Sequence, residues 1–443
     1  MDHLSLPLYS EVTYELLAAI LGSAIIGWLV LMKILGPRLA LMLVLTRASF
    51  SLVYLGWFFN TDWWLQGDSN NYIRSAVFLS EALERTGSLK FVLGLSTRLD
   101  QPPAYVLHNL LSFKMFGEYV FAPLILNMVL VFFCAALLFA LTKGIVRQRD
   151  WRKGLVCFFV CHPTILAWSS FNNTKEMLVM TCVLAITFFG GELINAVKGY
   201  AGLISQIFSN SNQKNEKTWA IHAWSVYVVP SERAKALAKI IFFVLAIGVS
   251  FLVLRNTRRY LIYVIPLLGL GWGVLVLGLY CVRVKAAGIF SLSRISVGVV
   301  ILCGVLGIGA FVALLVRIPD GYFEYLQAGM NMRGIATMFL SPKPWSLDFE
   351  YGFLFVPAIM HWLFFGWSLI GLWLLAGDSD LGRWFVVYAV GILVIFGLTP
   401  EVLGPRHRFQ TEFVFVLAQY FALLKVYTKG GAQKDIQTYA CPR

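Results

Sequence analysis

Long apolar blocks dominate this sequence and restrict what it can fold into. Of its 443 residues, 59% are hydrophobic and only 13% are charged, which is too few polar residues to cover a water-soluble globule. The apolar residues form blocks of about 15 to 24 residues, close to the about 20 that a helix needs to cross a hydrocarbon core about 30 Å thick. The short segments of alternating polarity that mark a transmembrane β-barrel do not occur. The sequence therefore predicts an all-α polytopic membrane protein.

The apolar blocks predict about eleven membrane-spanning helices in one integral-membrane domain, residues 1–443. The predicted spans are residues 14–35, 39–59, 118–141, 154–170, 176–197, 239–254, 260–282, 295–316, 353–375, 384–398 and 413–427. Lys and Arg are enriched in loop 142–153 and in the loops that alternation assigns to the same side, which predicts that this side is cytoplasmic. The N-terminus and the loops 60–117 and 317–352 are then extracytoplasmic, and loop 198–238 and the C-terminus are cytoplasmic. The expected location is a bacterial inner (plasma) membrane.

The net charge of +13 does not indicate a nucleic-acid partner. The Lys and Arg residues lie between the apolar blocks and form no contiguous basic domain, so membrane topology and lipid headgroups account for them better. The seven cysteines lie mostly inside apolar blocks and have no accompanying His or carboxylate residues at metal-ligand spacing. The sequence therefore predicts no cofactor, and a divalent metal has no support in it.

The first long loop, residues 60–117, contains two predicted interfacial helices. Polar and apolar residues from Ser69 to Glu84 recur at helical spacing, the pattern of an amphipathic helix that lies in the plane of the membrane surface. Asp68 or Ser69 is expected to cap its N-terminus, and Thr86-Gly87 to end it. Pro102-Pro103 can open the second helix, because proline is tolerated in the first turn.

Two other loops have distinctive compositions. Loop 317–352 is a candidate lid over a site on the extracytoplasmic side, with Gly329 and Gly334 as candidate hinges. The cytoplasmic loop 198–238 contains a Ser/Asn/Lys-rich stretch at residues 209–217, which is typical of a mobile surface insertion.

Carboxylates and a cation next to the predicted membrane surface are the candidates for chemistry. Asp62 and Asp68 lie six residues apart, before the first loop helix, and a carboxylate there can take a proton from an attacking hydroxyl. The alternative is that each aspartate caps a helix or solvates the loop. Lys175 and Glu176 follow a polar stretch between two apolar blocks on the same predicted side. A local ion pair in a hairpin is the alternative for these two residues.

Two arginine clusters on the extracytoplasmic side are candidates for phosphate binding, because guanidinium groups present planar, permanently charged donors. The predicted phosphate ligands are Arg255, Arg258, Arg259, Arg406, Arg408 and Lys175. The predicted substrate-binding residues are Tyr72, Arg74, Glu176 and Glu401. Anchoring of the helix ends in the lipid headgroups is the alternative explanation for the arginines.

Several of these motifs resemble the integral-membrane GT-C glycosyltransferases of the lipid A aminoarabinose transferase and protein mannosyltransferase type. The resemblance covers residues 60–197 and, more loosely, 399–427. The residues that carry it are Gly67-Asp68-Ser69-x-x-Tyr72-x-x-x-Ala76, Gln101-Pro102-Pro103-Ala104-Tyr105, Phe116-Gly117, the basic turn 147–153, His162-Pro163, Lys175-Glu176 and Gly404-Pro405-Arg406-His407-Arg408-Phe409.

The resemblance implies a GT-C-like fold and an inverting glycosyltransferase. Such enzymes take a sugar from a polyprenyl-phosphate carrier on the extracytoplasmic side and pass it to a glycan, a lipid-linked saccharide or a protein such as a pilin. The first-loop aspartate acts as base, which by position is Asp68. Several relatives have two adjacent carboxylates at this place, whereas here Asp62 stands apart and position 69 is a serine.

Two other functions remain open. A polymerase of lipid-linked oligosaccharide repeats would use the same basic clusters. A transporter or flippase of lipid-linked saccharide would have charged residues near the middle of the membrane and internal repeats. Arg47 is the one candidate for such a charge, and it is expected near the cytoplasmic end of its helix.

Overall fold

The computed structural model is almost entirely helical. It describes residues 13–58, 67–99, 101–117, 122–171, 173, 175–212, 219–258, 261–286, 332–345, 347, 349–397 and 405–431, and none of these residues forms a β-strand. The prediction of an all-α protein is therefore confirmed for the part of the chain that is described. The predicted span 295–316 lies outside it, as do Asp62, Arg259, Glu401 and the first half of loop 317–352.

Seventeen α-helices are described, together with two short 3₁₀ helices at Thr142–Gly144 and Phe349–Leu354. The helices are α1 (Thr13–Leu35), α2 (Pro37–Phe58), α3 (Gly67–Thr86), α4 (Leu89–Arg98), α5 (Pro103–Phe116), α6 (Ala122–Leu141), α7 (Arg149–Cys161), α8 (Pro163–Phe171), α9 (Glu176–Asn212), α10 (Trp219–Thr257), α11 (Leu261–Ala286), α12 (Met332–Leu340), α13 (Phe355–Leu363), α14 (Phe365–Asp378), α15 (Asp380–Gly397), α16 (Pro405–Phe409) and α17 (Glu412–Gly431).

Five helical stretches among the described residues are long and apolar enough to cross a membrane. They lie in α1, α6, α9, α10 and α15, and each matches a predicted span. Two further helical stretches, Gly352–Leu363 and Phe365–Asp378, are separated by a bend, and they add a sixth span if both belong to the same one. The bundle therefore has the length and composition of a membrane protein.

Two predicted spans are wrong as single helices. The span 154–170 is divided into α7 and α8 at His162, whose backbone is extended (φ −62°, ψ 128°). The physical reason is Pro163, because a proline disfavours helical geometry in the residue before it. The span 353–375 is divided at Phe364, where the chain bends by 61° between α13 and α14.

The predicted cytoplasmic loop 198–238 is largely helical. Helix α9 continues to Asn212 and α10 begins at Trp219, so only residues 213–218 of this loop lie outside the described residues. With 37 and 39 residues, α9 and α10 are each about 55 Å long or more at 1.5 Å per residue. They therefore exceed a hydrocarbon core by more than about 20 Å.

The first loop forms a compact three-helix unit. Helix α3 begins at Gly67 and ends at Thr86, so Asp68 lies in its first turn and not at the cap position. Its predicted apolar face is the buried one, but this face packs on protein and not on lipid. Ala76 and Val77 contact Phe113 of α5, and Leu79 lies in a second cluster that includes Val92 of α4, a helix absent from the sequence prediction.

Helix α17 lies at the centre of the bundle and packs closely on its neighbours. Almost every side chain from Phe413 to Ala422 is buried. Gly371 brings α14 so close to α17 that a Cβ at this position would collide with the backbone of Ala418. Glycine is therefore required at this crossing, because small residues allow the backbones of two membrane helices to approach each other.

Substitution of Gly371 by alanine tests this crossing. Gly371→Ala should lower the stability of the folded protein by about 1 to 3 kcal/mol, because the added methyl group overpacks the contact with Ala418. Thermal unfolding in detergent measures the effect. Gly366→Ala on the same helix is the control, since nothing lies within 4 Å of a Cβ placed there. Equal unfolding midpoints for the two variants would contradict the close approach.

Candidate functional site

Several sequence-predicted residues meet at one end of the bundle, here called the site end. It comprises residues 173–176 before and at the start of α9, residues 257–258 at the end of α10, and residues 407–408 in α16. The three-helix unit α3–α5 lies at the same end, with α5 packed against α6 and α10. The opposite end carries the ion pair between Lys425 and Asp378, whose charged atoms are 3.8 Å apart.

A buried ion pair between Arg258 and Glu176 lies at the site end. One guanidinium nitrogen of Arg258 donates to Glu176 Oε1, and both side chains are almost completely excluded from solvent. The other terminal nitrogen lies 3.1 Å from Nδ1 of His407. Nδ1 is then the acceptor and the proton is on Nε2, so this contact describes a neutral imidazole. The three residues join α9, α10 and α16.

Lys175 lies between this ion pair and the first-loop helices. Its ammonium group is 5.6 Å from the ring centroid of Tyr72 on α3, within the range of a cation–π interaction. Tyr72 in turn packs edge-on against Tyr105 of α5, with ring centroids 5.0 Å apart. The hydroxyl of Tyr105 donates to the side-chain oxygen of Asn173. These contacts fix the loop that carries Lys175 against α3 and α5.

His108 lies behind Tyr105 and stacks on its ring at 5.2 Å. Burial lowers the pKa of this histidine to about 4, so its imidazole is neutral at pH 7. It contributes shape and hydrogen-bonding capacity at the base of the loop, but no charge.

Arg408 points away from Arg258 into a second buried cluster. Each of its two terminal nitrogens lies 3.0 Å from one ring nitrogen of His361 on α13. One of them, Nη2, is also 3.7 Å from the carboxylate oxygen Oε2 of Glu412 at the start of α17. A neutral imidazole has one acceptor nitrogen, so only one of the two His361 contacts is a hydrogen bond. Burial lowers the pKa of the Arg408 guanidinium, and the carboxylate of Glu412 opposes that shift. Arg408 thus ties α13, α16 and α17 together.

The remaining predicted residues are distributed differently. Arg74 and Arg255 are exposed, and neither contributes to the contacts just described. Asp68 and Arg406 lie in helices whose backbones are described, but their side chains are outside the described part of the structure, as are Asp62, Arg259 and Glu401 altogether. The structure therefore brings together Tyr72, Lys175, Glu176 and Arg258, and it separates Arg408 into the adjoining cluster.

The sequence prediction missed several residues as site components. His407 lies between Arg406 and Arg408 in the arginine motif, a position that indicates a polar partner. Asn173 precedes the Lys175-Glu176 pair, and Tyr105 follows the double proline. His361 and Glu412 are single polar residues in or next to apolar blocks, a placement that itself signals a partner in a membrane protein.

Among the described residues, no group of three or more His, Cys, Asp or Glu side chains could hold a metal ion. No protein-family model matches the chain, and no curated protein and no solved structure matches it.

Removal of one partner of the buried ion pair should destabilise the fold strongly. Glu176→Gln and Arg258→Met should each lower the free energy of unfolding by about 3 to 5 kcal/mol, because each leaves a buried charge without its main counter-charge. The double variant should lose less than the sum of the two. Unfolding in mixed detergent micelles measures all three.

Arg255→Met provides the matched control, since Arg255 lies three residues before Arg258, in the last turn of α10, and is exposed. It should change the unfolding free energy by no more than about 0.5 kcal/mol. Additive losses in the double variant would show that the two side chains do not stabilise each other.

Proposed function

We propose that the protein is a glycosyltransferase of the GT-C type that transfers a sugar from a polyprenyl-phosphate donor. The observation that carries this proposal is the convergence, at the site end, of three separate segments whose sequences resemble that family. These are the first-loop helix with Tyr72, the Lys175-Glu176 turn and the His407-Arg408 segment. The contacts of Lys175 with Tyr72 and of Arg258 with Glu176 and His407 join them.

In this proposal Asp68 is the general base. Positions 68 and 72 are four residues apart on α3 and share a face of that helix, and Tyr72 is the residue of that face that contacts Lys175. The first turn of a helix favours an ionised carboxylate, which is the form that can accept a proton. Asp62, six residues earlier in the sequence, is the second candidate for the base.

Lys175 and Arg258 are the proposed ligands of the donor phosphate. Together with Glu176 they form a group of two cations and one carboxylate, with a net charge of +1. A sugar linked through a phosphodiester carries one negative charge, and the phosphate gains negative charge as the sugar departs. A net positive site therefore stabilises the leaving group more than the bound donor, which is what catalysis requires. Arg408, which contacts Glu412 and His361, positions this group through its neighbour His407.

The proposed reaction is one displacement at the anomeric carbon. An acceptor hydroxyl gives its proton to Asp68 while its oxygen bonds to the anomeric carbon. The bond between that carbon and the phosphate oxygen breaks at the same time, polyprenyl phosphate leaves and the configuration of the sugar inverts. The site end is taken to face the extracytoplasmic side of a bacterial inner membrane. The acceptor is a glycan, a lipid-linked saccharide or a protein; if it is another lipid-linked repeat, the enzyme is a polymerase.

A transporter of lipid-linked saccharide is the second candidate, and one observation favours it. Arg47 is the eleventh of the 22 residues of α2, so it lies at the middle of the helix and not near its end as expected from the sequence. It is buried and donates to the carbonyl of Val160 in α7 and to the hydroxyl of Ser169 in α8. Interrupted helices and a central charge are features of secondary transporters.

Replacement of Asp68 by asparagine tests the proposed function. Asp68→Asn keeps the size of the side chain but removes its charge, so it should lower the rate of sugar transfer by about 10² to 10⁴ while donor binding is retained. The measurement is release of polyprenyl phosphate from radiolabelled polyprenyl-phosphate sugars by the purified protein in nanodiscs, with a panel of candidate acceptors.

Asp62→Asn is the matched control and should lower the rate less. Transfer by Asp68→Asn at the wild-type rate would mean that the base is misassigned, if Asp62→Asn or a Glu176→Gln variant that is still folded is inactive. In proteoliposomes, movement of intact donor across the bilayer without release of polyprenyl phosphate would favour the transporter.

A further inference from the structure

Exposed cations are concentrated at the opposite end of the bundle, around the turns that join α1 to α2 and α6 to α7. Residues 33–38 and 142–153 contain seven Lys or Arg residues and one carboxylate, Asp150. Asp150 pairs with Lys153, with the charged atoms 2.7 Å apart. Five of the other cations are exposed, and none of these five forms an ion pair with a carboxylate of the described residues. They are here called the basic surface and are Lys33, Arg38, Lys143, Arg147 and Arg149.

The two turns lie at the same level because α1 and α6 pack together and run in the same direction. Ile20 of α1 packs on Met128 of α6, and further along both helices a Cβ on Gly27 would collide with the ring of Phe132. From that second contact each helix continues to its end over about 12 to 14 Å, at 1.5 Å per residue. The cations of both turns are therefore brought to one level of the bundle.

The turn between α6 and α7 has a well-packed backbone. The backbone amides of Ile145 and Val146 both donate to the carbonyl of Thr142, over 3.0 and 2.8 Å. The side chains of Ile145 and Val146 are buried in the main apolar core. Lys143 and Arg147, on either side of these two residues, are therefore attached to an ordered backbone. Less conformational entropy is lost when such side chains bind a ligand than when a flexible loop must first be ordered.

Both turns lie at the ends of membrane-crossing stretches, where lipids have their headgroups. The apolar stretches Leu17–Leu35 of α1 and Ala122–Gly144 of α6 are long enough to cross a bilayer, so cations at their ends lie at the boundary between hydrocarbon and water. Next to the turn, Trp151 of α7 contacts Tyr427 of α17, with ring centroids 5.5 Å apart. Trp and Tyr are enriched at this boundary, which agrees with the placement of the basic surface there.

Exposed apolar side chains continue the basic surface toward the hydrocarbon core. Leu29 lies four residues before Lys33 on α1, and Met42 lies four residues after Arg38 on α2, so the two members of each pair share a helix face. Leu29 is 49% exposed and Met42 is 66% exposed. A ligand with an anionic group and hydrocarbon chains can contact the cation and the apolar side chain of each pair at once. A soluble anion would contact only the cations.

We propose that the basic surface binds an anionic phospholipid, with the phosphate at the cations of the two turns and the acyl chains along Leu29 and Met42. Arginine and lysine bind phosphate through charge-assisted hydrogen bonds, and basic groups between membrane helices bind the headgroups of anionic lipids.

Membrane topology by itself also favours Lys and Arg at one end of a bundle. It does not require, however, that the cations lack carboxylate partners, lie on an ordered turn and adjoin exposed apolar side chains. A bound phospholipid accounts for all three features. The proposal does not depend on the function of Lys175 and Arg258, because those residues lie at the other end of the bundle.

Titration of dioleoyl phosphatidylglycerol into the purified protein in neutral detergent tests the proposal, with bound lipid counted by native mass spectrometry. Dioleoyl phosphatidylcholine has the same acyl chains but no net charge, and it should bind at least about tenfold more weakly. Arg147→Gln/Arg149→Gln should weaken phosphatidylglycerol binding by at least about tenfold, because each cation near an anionic lipid contributes a factor of about five. Lys33→Gln/Arg38→Gln, in the other turn, should weaken it to a similar extent.

Two control variants separate the basic surface from a general effect of charge. Arg147→Lys/Arg149→Lys retains both charges and should keep most of the affinity. Lys90→Gln/Arg98→Gln removes two exposed cations of α4, in the three-helix unit at the site end, and should leave phosphatidylglycerol binding unchanged.

The proposal is overturned if the two lipids bind wild-type protein equally well, a comparison that needs no variant. It is also overturned if both glutamine pairs in the basic surface keep wild-type affinity, or if the Lys90 and Arg98 pair lowers affinity as much as they do. If one pair does not fold, the other pair decides. Complete displacement of phosphatidylglycerol by heparin at equal charge concentration would assign the surface to a soluble anionic partner instead.

Discussion

The buried contact between Arg258 and Glu176 is the interaction on which the site end depends. Two charges that are removed from water each lose several kcal/mol of hydration, and their mutual attraction offsets this loss only when the geometry is good. The partial charges at the helix ends offset part of the lost hydration. Glu176 is the first residue of α9 and Arg258 directly follows the last residue of α10. Each charge thus lies at the helix end of opposite partial charge, a placement worth about 0.3 to 1 kcal/mol and up to about 2 kcal/mol where partly buried.

The same contact determines what remains available for a ligand. Glu176 neutralises most of the charge of Arg258, and His407 occupies another of its donors. Lys175 supplies the extra positive charge, at the boundary with the aromatic side chains of α3 and α5. A phosphate that binds here exchanges part of the Arg258–Glu176 attraction for its own.

Much of the helical architecture could be predicted from the sequence, because it follows from local patterns. The apolar blocks predicted the membrane-crossing stretches of α1, α6, α9, α10 and α15 to within a few residues, but not the extensions of α9 to Asn212 and of α10 back to Trp219. The helical spacing of Tyr72, Ile73 and Ala76 correctly predicted the buried face of α3. The partner of that face was predicted wrongly, because amphipathic periodicity is the same for a helix on lipid and a helix on protein.

The features that the sequence did not reveal depend on contacts between distant residues. Glu176 and Arg258 are 82 positions apart, and no periodicity relates them. Pro163 restricts the backbone of His162 and so indicates a break in the helix. Both residues lie in a continuous apolar block, however, which by its length predicts a single helix. No proline follows Phe364 to indicate the bend there. The hydroxyl of Ser368, which donates to the carbonyl of Phe364, belongs to a single polar residue among many apolar ones. The sequence predicts Arg47 near the cytoplasmic end of its helix, whereas it lies in the middle of α2 and donates to the carbonyl of Val160 and the hydroxyl of Ser169.

A cryo-EM map of the protein in nanodiscs with a non-hydrolysable polyprenyl-phosphate sugar analogue tests whether the charged group around Lys175 and Arg258 binds a lipid phosphate. The predicted result is phosphate density at the site end within about 3 Å of a nitrogen of Lys175 or Arg258, with the sugar next to the first turn of α3. Phosphate density at the opposite end of the bundle, or a site end that stays unchanged at saturating analogue, would contradict it.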